Sequence, residues 1–85
     1  MTQLHELALH TPALVREVQA PEAQPEWLAR LEEIGFLPGE PVHVLAQGLP
    51  GGDPLVVRIA DSTFALRRAE AACVQVQPLD EEGAR

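Results

Sequence analysis

Residues 31–45 read LEEIGFLPGEPVHVL, and the periodicity of this stretch changes in the middle. Apolar residues at helical spacing stop at Gly35, a second break follows at Pro38-Gly39, and the alternation of a strand resumes in VHVL. A helix end often needs a left-handed residue, which glycine supplies without Cβ strain, so Gly35 is the expected terminus of a helix. In the next turn proline sets the first torsion and Gly39 provides a positive φ. Such a joint fixes the angle at which one short helix covers a sheet. Taken by itself it is a helix-to-strand corner.

The rest of the chain must supply the sheet. At 85 residues it is long enough for one domain with a modest core, and its single cysteine, Cys73, excludes an internal disulfide. QLHEL suits a single turn that lays Leu4 and Leu7 on the body. ALVREVQ reads as a first strand whose apolar residues do not alternate cleanly, which calls for a bulge or for burial on both faces. In the following segment Pro25 fits the first turn of a helix, and Trp27, Leu28, Leu31 and Ile34 form a stripe that docks on the sheet.

Three further strands follow. PVHVLAQ places Val42, Val44 and Ala46 on one face, LVVRIA does the same with Leu55, Val57 and Ile59, and TFALRR pairs Phe64 with Leu66. GLPGGDP and Asp61-Ser62 are the turns between them. RAEAA allows one helical turn before CVQVQ, with Val74 and Val76 inward and pairing stopped at Pro78. The expected architecture is mainly β: a small, partly open barrel of about five antiparallel strands, with one short helix after the first. Residues 1–78 form the domain, and 79–85 form an acidic tail expected to be disordered.

Charge and composition narrow the function. Thirteen acidic against six basic residues, a formal charge of −7, oppose phosphate backbones, and two phenylalanines and one tryptophan offer little stacking, so no nucleic-acid partner is expected. The opening MTQLHELALH has neither a basic stretch nor a long apolar run. A cytoplasmic location with no membrane insertion is the expectation.

Three blocks in order, LEEIGFLPGEPVHVL, GDPLVVRI and FALRRAEAACVQV, resemble the FeoA family of small bacterial proteins associated with the ferrous iron transporter FeoB. The resemblance covers about residues 4–78. It implies an SH3-like barrel and a non-enzymatic accessory role in ferrous iron uptake, with the cytosolic part of FeoB as partner. The sequence departs from the family in two places: HTPALV stands where a Pro-Gly turn is common, and ADS replaces a frequent glycine. The same domain type occurs at the C-terminus of iron-dependent repressors, so a metal-responsive regulatory domain is the alternative reading.

The residues themselves point to no enzyme. Ser62 has no histidine near it in sequence, Asp53 suits a hydrogen bond within its own turn, and the glycines of GLPGGDP lack the Lys-Ser/Thr ending of a phosphate loop. His5, His10, His43 and Cys73 lack the paired spacing of a metal site. No cofactor is required; weak capture of zinc or iron by His5, His10 or His43, shared between molecules, is the expectation. The candidate partner surface combines the helix with the 35–39 joint: Trp27, Leu28, Leu31 and Phe36, with Arg67 supplying charge. Trp27 has an equal alternative as a cap on the core. Weak self-association is compatible with the sequence.

Overall fold

The computed structural model describes residues 2–79, and its elements follow the apolar pattern of the chain. In order they are β1 (Thr2–Gln3), a 3-10 turn (Leu4–Glu6), β2 (Ala13–Val18), α1 (Glu26–Ile34), β3 (Pro41–Gln47), β4 (Leu55–Ile59), β5 (Ser62–Leu66), α2 (Arg68–Ala71) and β6 (Val74–Pro78). One antiparallel sheet takes the order β1-β6-β2-β3-β4-β5. Six strands therefore replace the expected five. Thr2 and Gln3 pair with Val76 and Gln75, and this two-residue strand puts α1 after the second strand rather than the first. Two residues carry no periodicity; only the distant partner makes them a strand. Among the described residues no pairing joins β5 to β1, so the sheet curls without closing into a complete barrel.

The inward residues of β4 and β6 are those the alternation selects: Leu55, Val57, Ile59, Val74 and Val76 are buried. Leu4 and Leu7 close the same core from the first turn. Bulges account for both strands that break the pattern. In β2 the register shifts between Val15 and Glu17, the bulge that the uneven alternation calls for. In β3 it shifts between Val44 and Ala46, so Ala46, expected inside with Val42 and Val44, is exposed instead. One extra residue reverses the face of everything beyond it.

The helix-to-strand joint is fastened to the sheet as well as bent. The Gly35 N–H donates to Leu31 O at 3.2 Å and Glu32 O at 3.1 Å, and the Glu40 N–H closes the Pro38-Gly39 turn on Leu37 O at 3.0 Å. The Gly39 N–H then donates to Val15 O at 2.7 Å, and the Val15 N–H to Glu40 O at 2.9 Å. The corner is thus held by β2, the strand beside it. Gly35 has φ +127°, and a Cβ there would meet only Ile59 Cγ1 at 3.7 Å, an ordinary contact. Gly35→Ala is therefore expected to destabilise the domain by about 1 kcal/mol through backbone strain alone, read as a lower urea midpoint.

The two departures from the family pattern fall on strained backbone. Among the described residues His10 (φ 66°) and Ala60 (φ 51°) are the non-glycine residues with positive φ, one in HTPALV and one in ADS. Ile59 pairs with Ser62, so the hairpin turn is Ala60-Asp61, one residue earlier than the sequence suggested. A left-handed residue with a Cβ costs about 1–2 kcal/mol, whereas a glycine adds about 0.4–1 kcal/mol of unfolded-state entropy. Ala60→Gly is expected to stabilise the domain by about 0.5–1 kcal/mol, measured on the same urea curves.

Candidate interaction surface

The stripe on α1 is less deeply docked than its spacing suggests. Leu31 is 1% exposed, Trp27 and Ile34 are half-buried against the core, and Leu28 stays 37% exposed. After the joint Phe36 is 0% exposed and Leu37 is 45% exposed. Two of the residues read as partner contacts are therefore corrected: Leu31 and Phe36 belong to the core, because the Gly35 turn folds the chain back under the helix. Trp27 shares its area between core and surface. Leu28 on α1 and Leu37 within the joint carry exposed apolar area, and Leu37, which the sequence suggests folds back onto the helix stripe with Phe36, was not read as a partner contact. Its position after a buried Phe36 was the available signal.

Arg67 lies at the surface beside Asp53, Pro54 and Ala65, which line an open depression of about 460 Å³. Its backbone is fixed by Glu70, whose Oε1 accepts the Arg67 N–H at 2.9 Å while Oε2 accepts Arg30 Nη1 at 2.9 Å. Glu70 is a buried carboxylate with both oxygens engaged, and through Arg30 it ties α1 to the start of α2. Sequence reasoning passed over it, although acceptor and donor stand at the Arg67-x-x-Glu70 spacing of a capping box. Asp53 also differs from expectation. Its Oδ1 accepts the Arg68 N–H at 3.1 Å, so it caps α2 from the loop before the neighbouring strand β4 instead of its own turn.

The histidines do not converge. His5 is half-buried, with Nδ1 enclosed and no hydrogen-bond partner among the described residues, and His43 stands on β3 opposite Arg58. The His10 N–H donates to Val44 O at 2.8 Å, which brings its turn to the strand that carries His43. No group of three or more His, Cys, Asp or Glu side chains suited to a metal ion occurs among the described residues, so these residues do not fit a dedicated site. Cys73 is buried, its thiol donates weakly to Ala69 O at 3.6 Å, and burial followed by the Glu70 charge pushes its pKa up. It behaves as a small apolar filler. Ser62 is exposed at the start of β5. No helix among the described residues is long and apolar enough to cross a membrane.

Comparison with known proteins places this arrangement. The family model for the FeoA domain matches residues 2–78. The chain belongs to the FeoA family. The FeoA of Stenotrophomonas maltophilia, an SH3 domain protein solved with zinc, is 44% identical, with a TM-score of 0.81 over 91% of each chain. Iron(II) transport protein A of Clostridium thermocellum is 28% identical with a TM-score of 0.81; the match takes 93% of this chain and 46% of that one. A manganese-dependent transcriptional repressor shares the fold at 23% identity and TM-score 0.78, over 92% of this chain and 41% of the repressor. No curated protein matches.

FeoA membership makes the fold SH3-like, and the three blocks that carry the FeoA pattern prove to be fastened to one another. β3 of the first block pairs with β4 of the second, Asp53 of the Gly-Asp-Pro loop holds Arg68 of the third, and Glu70 of the third holds Arg30 of α1, just before the first. The motif residues fix the relative placement of α1, α2 and the 48–54 loop.

Proposed function

We propose that this chain is a non-enzymatic accessory protein of bacterial ferrous iron uptake, acting in the cytoplasm by binding the cytosolic part of FeoB. The observation that carries this reading is the FeoA-domain match over residues 2–78, nearly the whole of the described chain. It is supported by the 44% identical FeoA of S. maltophilia, for which a role as a ferrous iron transport activating factor has been suggested. The contact surface of this reading is the outer side of α1 and the joint, with Trp27, Leu28 and Leu37 as apolar anchors and Arg67 as the charged element.

A binding module suits what the chain presents. Leu37 is exposed within a corner held by backbone hydrogen bonds and Leu28 on the helix before it, so a partner meets a preformed surface at little ordering cost. The regulatory alternative lacks such support: the likeness to the manganese-dependent repressor is one of fold, and the described residues assemble no metal cluster.

Deleting the gene and measuring ferrous iron uptake tests the proposal. Reduced uptake, restored by the wild-type gene, is expected where FeoB is the main importer; unchanged uptake in that background contradicts it.

A further inference from the structure

β5 ends the strand order and pairs only with β4, so among the described residues its outer edge has no neighbouring strand. An open edge is a template for pairing, and proteins usually blunt it with a bulge, a proline or an inward or bristling charge. β5 has none of these. Its five residues are in unbroken register with β4 from Leu55–Leu66 to Ile59–Ser62, and Ser62, Thr63 and Ala65 are small and exposed. Charges appear only just outside the strand, Asp61 before it and Arg67 after it, both exposed.

The spacing of those charges is self-complementary. If two β5 strands run antiparallel with their Phe64 residues opposite, residue 61 of one faces residue 67 of the other and 63 faces 65, since opposed positions sum to a constant. Within β5, Thr63 and Ala65 share one face by the period of two, with Asp61 in the hairpin turn just before the strand and Arg67 just after it, at the start of α2. Asp61 then meets Arg67 twice, related by a two-fold axis, and small Thr63 meets small Ala65. A slip of one residue in the centre loses both ion pairs: Arg67 would face Thr63 or Ile59. Phe64, half-buried in the single chain, lies on the axis, where a neighbour would cover it.

We propose that this edge is where a second copy of the chain binds, β5 against β5, with Asp61 of each copy facing Arg67 of the other. The formal charge of −7 on each copy opposes the association, so the dimer is weak and forms only at high protein concentration. Arg67 is shared with the surface assigned to the transporter, but the inference concerns the isolated chain, and its test needs no other protein.

Sedimentation equilibrium of the full chain, with a chelator present to remove metal bridges, follows the association from micromolar to millimolar concentration. Asp61→Arg and Arg67→Asp leave the core untouched, and each converts two attractions into two repulsions. Each alone should weaken the dimer about tenfold or more. An equimolar mixture of the two variants should recover dimer at near wild-type strength, because every altered residue then faces an opposite charge. Neither a dimer through the α1 face nor one at another edge would show that recovery. A wild-type chain that stays monomeric to millimolar concentration, as it would if the edge awaits a foreign strand, overturns the proposal. So does a dimer indifferent to both reversals, or a mixture no stronger than the single variants.

Discussion

Phe36→Ala should cost the domain about 3–5 kcal/mol. Phe36 is the largest fully buried side chain among the described residues; its N–H bonds Leu31 O at 3.1 Å, and Gly35 has just turned the chain beneath α1. Truncation removes the ring from water-free surroundings and leaves a cavity under the helix that the fastened joint cannot collapse to fill. For 85 residues the total stability is on the order of 4–13 kcal/mol, so the variant should be substantially unfolded at growth temperature. Urea unfolding followed by circular dichroism reads the loss directly. Phe36→Leu, which keeps most of the volume, should retain a cooperative transition. If Phe36→Ala unfolds within about 1 kcal/mol of the wild type, the assignment of this residue to the core is wrong.

The second large effect is expected at Gly48, where the reason is space. A Cβ on Gly48 would lie 2.6 Å from Asp53 O, 2.9 Å from Asp53 C and 3.1 Å from Pro54 N, all backbone atoms that cannot swing away as a side chain would. The same loop is closed by the Gly48 N–H to Pro54 O at 2.8 Å and the Gly52 N–H to Gly48 O at 2.9 Å. Gly48→Ala must therefore open the loop, at about 2–3 kcal/mol. Because Asp53 holds the Arg68 N–H, the disturbance should reach α2, and amide exchange at Arg68 should quicken together with that at Gly48 and Gly52. Gly35→Ala, whose Cβ would meet only Ile59 Cγ1 at an ordinary 3.7 Å, should show no such spread.

These two sites illustrate what a single sequence discloses. The joint was legible because its causes are local: a glycine ends a helix, a proline and a glycine make a turn, and valines alternate. The inward faces of β4 and β6 were legible for the same reason. What the sequence left hidden depends on partners far along the chain. Thr2–Gln3 becomes a strand only beside Val76 and Gln75, and the bulge that turns Ala46 outward exists only against Val56. Asp53 looked like a residue of its own turn, yet its acceptor oxygen serves Arg68, and Glu70 spends its two oxygens on Arg67 and Arg30. Of the residues read as partner contacts, Leu28 and Arg67 are exposed, although helical spacing alone put Leu28 in the docked stripe. Leu31 and Phe36 were misplaced, since apolarity alone does not distinguish a buried residue from one presented to a partner. Leu49 adds to the lesson: it is 93% exposed at the tip of the 48–54 loop.

Binding of the cytosolic part of FeoB, as proposed, runs through the outer side of α1. Calorimetric titration of that region with the wild-type chain and with Leu28→Glu tests it most directly. Leu28 contributes little to the core, so the variant should melt with the wild type. Saturable binding by the wild type, weakened about tenfold or more in the variant, is the predicted result. Absence of binding by a folded wild-type chain would contradict the claim.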